Sequence, residues 1–214
     1  MHSDPELLVD GPSSARTVVL AHGAGAGMNT PYMSFFATGL AGRGFRVVRF
    51  EFPYMSSQRR TGKRGAPDRE PVLRATWLRV VEMLRRDSAD QRNSRLIIGG
   101  KSMGGRIASL IADEAGVQGL ICLGYPFHPV GKPDRLRVEH LQPIETPTLI
   151  LQGERDPFGS REDVAEYKLS PAIRVRWIED GDHSFKPRKA SGRTERQNWE
   201  AALEEIGSFL AAVP

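Results

Sequence analysis

SRLIIGGKSMGGRIASLIADEAG, residues 94–116, changes character at its middle. An apolar run of strand type, LIIGG, leads into a pair of glycines, and the helical stretch MGGRIASLIADEAG follows. Across the junction sits Gly100-Lys101-Ser102-Met103-Gly104, a G-x-S-x-G pattern. With 22 glycines in 214 residues, chance supplies roughly 0.15 such patterns in a chain of this make-up, so the pattern by itself says little. Its position between strand and helix says more. A sharp strand-to-helix turn forces its central residue into strained backbone geometry, and glycines two residues before and after relieve the crowding. The Ser102 hydroxyl is then left exposed, with helix N-terminal N–H groups directed at the same spot. A Gly-rich turn with an incidental serine would leave that placement unexplained.

On either side of this turn, short Val/Ile/Leu-rich runs alternate with helical patterns. The expected strands are TVVLAHG (17–23), FRVVRFEF (45–52), SRLIIGG (94–100), QGLICLGYP (118–126), PTLILQG (147–153) and IRVRWIE (173–179). Helical patterns fall at about 31–42, 70–86, 103–115, 160–168 and 194–212. In the second of these, Val72, Leu73, Thr76, Trp77, Val80, Val81 and Leu84 recur at the spacing of one buried helical face. Continuous apolar strands separated by helices imply a mainly parallel sheet of six to seven strands, covered by helices on both faces. Right-handed crossovers then gather the strand C-termini on one edge, where ligands bind. The polar and Gly-rich segments HGAGAG, PYMSSQRRTGKRGAPDR, KSMGGR, ERDPFG and DGDHSF all follow strands. No repeat or linker divides the chain, so residues 1–214 read as one α/β domain.

A serine alcohol attacks a carbonyl only when a base removes its proton and a carboxylate orients that base. Where the serine sits on such a turn, the acid and then the histidine follow in the chain. Of the five histidines (His2, His22, His128, His140 and His183), only His183 lies in a loop beyond the last strand. Six aspartates follow Ser102. Asp156, in LILQGERDPFG, stands three residues past the penultimate strand, within reach of that imidazole. Asp113 and Asp163 fall in helical patterns and are expected to be solvated. Asp182 should diverge from its neighbour His183, which leaves Glu154 as the competitor. An oxyanion needs two donors. One is the Met103 N–H, and the other comes from the His22–Gly27 loop, with Ala24 the choice and Gly25 beside the substrate.

Composition bounds the rest. Hydrophobic types make up 39% and charged types 26%, as in ordinary globular proteins. No apolar run approaches the roughly 20 residues of a membrane span, and MHSDPELLVDG shows no secretory signal, so a cytoplasmic location is expected. The net charge of +4 is local. Residues 58–69, QRRTGKRGAPDR, carry Arg59, Arg60, Lys63, Arg64 and Arg69 against Asp68 alone. That reads as a solvated loop, not the broad basic face of a nucleic-acid binder. Cys122, the single cysteine, lies in an apolar strand and reads as packing. PYMSFF and PYMSSQ read as core edge and pocket wall. No phosphate loop fits, because Arg95 stands where its first glycine is needed, and HGAGAGMNT lacks the third glycine of G-x-G-x-x-G. No metal-ligand spacing appears, and neither a metal nor an organic cofactor is expected.

With Ser102, Asp156 and His183 in this order, the chain resembles the α/β-hydrolase superfamily over nearly its whole length. LAHGAGAGMNTPYM, FEFPYMSSQRRTGKRGAPDR and GGKSMGGR resemble a compact dienelactone-hydrolase-like branch. Dienelactone hydrolases typically use a cysteine nucleophile, and Ser102 argues against that activity here. Superfamily members often insert a lid before the acid-bearing strand, but FHPVGKPDRLRVEHLQPIET (127–146) is too short for a lid domain. The resemblance therefore implies an open site and a serine hydrolase of small carboxylic esters or thioesters, working through an acyl-enzyme. The branch also includes eukaryotic proteins that act in chromatin-associated complexes, so a non-catalytic scaffold is one alternative. An acyltransferase using the same triad is another. The family pattern places the basic loop on the edge that bears Ser102, which implies that one or more of Arg59, Arg60, Lys63 and Arg64, with Arg60 and Arg64 the choice, attracts an anionic group on the substrate. The expected partner is a small-molecule ester, with the chain a monomer or homodimer.

Overall fold

The computed structural model describes residues 4–13, 15–87 and 96–213. Residues 1–3, which open the expected signal-free N-terminus, and residues 94–95, which open the third expected strand, lie outside it. Seven strands form one sheet: β1 (Leu7–Asp10), β2 (Thr17–Ala21), β3 (Arg46–Phe50), β4 (Leu96–Lys101), β5 (Gly119–Leu123), β6 (Thr148–Gly153) and β7 (Ile173–Ile178), in spatial order β1-β3-β2-β4-β5-β6-β7. β2 to β7 run parallel, and β1 lies antiparallel on the edge, with Leu7 opposite Phe50.

All six strands read from the sequence are present. β1 is the addition. It is four residues long and half exposed, so it lacks the continuous apolar run that marks the buried strands.

Alternation of side chains divides the core. Val19, Val48, Phe50, Ile98, Leu120, Cys122 and Ile150 face one side, against Leu73, Trp77, Val80, Val81 and Leu84 of α3 (Glu70–Asp87) and Ile107 of α4 (Met103–Ser109). Val18, Leu20, Val47, Ile97, Ile121, Leu123 and Leu149 face the other side. There they meet Met33, Phe36 and Leu40 of α1 (Pro31–Ala41) and Ile206, Phe209 and Leu210 of α6 (Glu195–Ala212). Each of the parallel strands β2 to β7 contributes to both clusters, as a doubly covered parallel sheet requires.

Three element expectations change. The stretch read as a basic loop begins as a helix, α2 (Pro53–Thr61). Pro53 opens it in the first turn, and Gly62, at φ 70°, closes it in the left-handed conformation. Its buried residues, Tyr54 and Met55, are confined to that first turn, so no helical periodicity shows. α4 ends at Ser109, whose hydroxyl donates to the Arg106 carbonyl at 2.7 Å, and the chain continues to Gly116 as tight turns. α5 (Arg161–Ala165) is shorter than its pattern and opens with a capping box between Ser160 and Asp163. Between β5 and β6 the chain forms only loops and one short 3₁₀ turn, Glu139–Leu141, so no lid domain covers the site.

Candidate active site

β4 delivers Ser102 straight into α4. The serine adopts φ 51° and ψ −116°, a conformation that costs on the order of 1–3 kcal/mol for a residue with a side chain. Close approach explains the flanking glycines. A Cβ on Gly100 would stand 2.2 Å from the Ala21 carbonyl oxygen, and one on Gly104 would stand 2.5 Å from the same atom. The turn is pinned by the Ser102 N–H donating to the Leu123 carbonyl at 2.9 Å.

Loops after β6 and β7 bring in the other two residues. His183 Nε2 lies 2.8 Å from Ser102 Oγ, and its Nδ1 lies 2.7 Å from Asp156 Oδ2. A carboxylate only accepts, so Nδ1 carries the hydrogen, and Nε2 is free to accept from the serine hydroxyl. The Asp156 side chain is fully buried, and its other oxygen accepts from the Phe158 N–H at 2.9 Å. Phe158 in turn packs on the imidazole, with ring centres 4.3 Å apart. Burial lowers the His183 pKa below the ordinary imidazole value, the bond to Asp156 opposes that, and the Lys101 charge lowers it further.

The competing acids are occupied elsewhere. Glu154 accepts from the Asp180 N–H and the Arg161 guanidinium. Asp182 caps its own loop, accepting from the N–H groups of Ser184 and Lys186, and so diverges from His183 as expected. Asp113 and Asp163 are more engaged than solvated helix positions would be. Asp113 ties down the chain before β6 through the Glu145 and Thr146 N–H groups, and Asp163 caps α5.

The loop after β2 faces Ser102, and neither the Ala24 nor the Met103 N–H has a hydrogen-bond acceptor among the described residues. Two groups that sequence reasoning left without a role hold this loop. His22 is fully buried, and its Nε2 accepts from the Phe52 N–H at 3.1 Å, so Nδ1 bears the hydrogen and donates to the Gly23 carbonyl at 2.7 Å. Burial holds its pKa below the ordinary value, which keeps this neutral form. The Tyr54 hydroxyl donates to the Ala24 carbonyl at 2.9 Å. A histidine directly after a strand, followed by glycines, was the available signal.

A pocket of about 370 Å³ opens over Ser102, lined by Ala24, Gly25, Tyr32, Phe158, His183 and Lys101 among others. PYMSFF thus supplies a pocket wall through Tyr32 and Met33. PYMSSQ supplies buried residues and the Tyr54 tether. Arg60 and Arg64 do not line this pocket; both are exposed, Arg60 on α2 and Arg64 beyond it. Their exposure matches the reading of this segment as solvated. Arg59 is bound to Glu51 and Glu6. Cys122 is buried, as expected. Among the described residues, no group of three or more His, Cys, Asp or Glu side chains is placed to hold a metal ion, and no helix is long and apolar enough to cross a membrane.

The same fold occurs in solved structures of low sequence identity. A lidless α/β serine hydrolase from Xanthomonas campestris is 20% identical, with a TM-score of 0.70 over 98% of this chain and 91% of that one. A dienelactone hydrolase from Anabaena variabilis is 18% identical, with a TM-score of 0.71 over 99% of both chains. A Pyrococcus furiosus esterase is 17% identical, with a TM-score of 0.71 over 94% of this chain and 82% of that one. A family model described as an alpha/beta hydrolase domain matches residues 14–211, nearly the full length, and the chain belongs to the alpha/beta hydrolase family.

Proposed function

We propose that the protein is a serine hydrolase of small carboxylic esters or thioesters. One observation carries the reading. Ser102 is held in strained geometry with its hydroxyl 2.8 Å from His183 Nε2, while Nδ1 of the same ring meets the buried Asp156 at 2.7 Å. Each member fits one role. His183 takes the proton as Ser102 Oγ attacks the carbonyl carbon, and Asp156 stabilises the imidazolium that forms. The oxyanion is received by the free N–H groups of Met103 and Ala24. His183 then protonates the leaving alcohol or thiol, leaving an acyl-Ser102 ester. Water, deprotonated by His183, attacks that ester, and collapse of the second oxyanion breaks the acyl–Oγ bond, releasing the acid while His183 returns the proton to Ser102 Oγ.

The pocket's size, about 370 Å³, lies near the low end for small-molecule sites and favours short acyl groups. Wild type should hydrolyse p-nitrophenyl acetate and butyrate, and Ser102→Ala or His183→Ala should each lower kcat by at least about 10³-fold. A wild-type protein with no turnover on either ester or on a matching thioester would refute the proposal.

A further inference from the structure

We propose that Lys101 is a positioning residue whose ammonium clamps the His183 loop onto the nucleophile turn and sets the charge environment of the imidazole. The inference rests on the serine-hydrolase reading above.

The Lys101 side chain meets three of the segments that build the site: the His183 loop, α1 and the loop after β2. Its ammonium donates to the main-chain carbonyl of His183 itself. It lies 5.3 Å from the ring centre of Tyr32 on α1 and 5.9 Å from that of Phe185 in the His183 loop. Its stem runs along the loop after β2, where a Cβ on Gly23 would stand 3.4 Å from Lys101 Cγ. Gly124, at φ 68°, leaves the notch in which this contact sits. A Cβ there would stand 2.8 Å from the His183 carbonyl oxygen and 3.0 Å from Lys101 Nζ.

Packing alone does not call for an ammonium at this position. Burial pulls the Lys101 pKa down to about 8, against the opposing pull of Asp156 and Asp182. A group desolvated to that extent costs stability that a methionine of similar length would not. The other anchors of the loop, Asn198 donating to the carbonyls of Glu179 and Phe185 and Trp199 donating to that of Ser184, grip its flanks. Among the described residues, Lys101 is the donor to the main-chain carbonyl of His183 itself.

The charges acting on the imidazole are Asp156, Asp182 and Lys101. Removing the positive one leaves the imidazolium less disfavoured, so the His183 pKa rises.

The test is NMR titration of the His183 imidazole in Lys101→Met, Lys101→Gln and Lys101→Arg, alongside the pH profile of p-nitrophenyl butyrate hydrolysis. In the two neutral variants the ring should titrate at higher pH than in wild type. Their kcat should fall on the order of 10- to 100-fold, as for a misplaced catalytic group, with a smaller change in KM. Lys101→Arg, which keeps the charge, should restore the wild-type titration. An imidazole pKa unmoved in both neutral variants would overturn the proposal, whatever happens to turnover. The titration needs no substrate, so an inactive wild type would count against the hydrolase reading and leave this test in force.

Discussion

Ser102, Asp156 and His183 each sit on a different loop, 27 and 81 positions separating His183 from its two partners, yet they meet within hydrogen-bond distance. Their identities were readable because the serine's turn, the strand order and the Ser–acid–His sequence narrow the candidates at each step. Their distances were not, since they depend on where three loops close. The supports were hidden for another reason. His22 acts through a fixed neutral tautomer in the core, signalled only by its place between a strand and glycines, and Lys101 acts through one main-chain carbonyl, which leaves no mark in residue spacing. Two outcomes are expected at this scale. Burial and the Lys101 charge lower the His183 pKa more than Asp156 raises it, and the base must be unprotonated to act. The acid limb of kcat/KM should therefore lie below the ordinary imidazole value near 6.5. A pH–rate profile with its acid limb above that value would contradict this. Replacing His22 by Phe leaves the buried Phe52 N–H without its acceptor, at a cost of about 1–3 kcal/mol in urea unfolding, and loosens the loop that presents the Ala24 N–H.

Strand and helix patterns were legible wherever an element buries a full face. β2, β5 and β6 are buried along their length, the edge strand β7 alternates its apolar residues with Arg174 and Arg176, and α3 shows its Leu73, Trp77, Val80 and Leu84 stripe. Elements without such a face escaped. β1 is a short edge strand, and α2 buries only its first turn while its Arg59, Arg60 and Thr61 end faces water. The Pro53 start and Gly62 stop of α2 were present, but charge read as loop outweighed them. A tight junction lies between α4 and β2. A Cβ on Gly104 would stand 2.5 Å from the Ala21 carbonyl oxygen and 2.6 Å from that of His22, and neither backbone atom can yield without moving the sheet or the loop. Gly104→Ala should destabilise the protein by roughly 1–3 kcal/mol or more, as overpacking does, and should lower turnover. Unchanged urea unfolding in this variant would contradict the close approach.

At the scale of the whole molecule, a seven-stranded sheet carries the loops of Ser102, Asp156 and His183 at one edge, and among the described residues the segment between β5 and β6 builds no lid domain. The segment after β5 is too short to build a lid, a point the sequence showed by counting residues. The surplus positive charge lies where the sequence put it, on exposed residues of the 58–69 segment. Arg60 and Arg64 stand outside the pocket, and the cation that lines it is Lys101, from within the G-x-S-x-G pattern itself. With no lid to open, rates on p-nitrophenyl butyrate should rise hyperbolically with concentration, without a jump when a more apolar ester begins to form droplets. A jump of that kind would reveal an interfacial switch that the open pocket does not explain.

The most direct measurement is peptide-mapped mass spectrometry after reaction with a fluorophosphonate, on wild type, Ser102→Ala and His183→Ala. A single covalent adduct on Ser102 is expected in wild type, absent from the first variant and reduced at least about 10³-fold in rate in the second. No adduct on a folded wild-type protein, or one on a different serine, would contradict an assembled Ser102–His183–Asp156 triad.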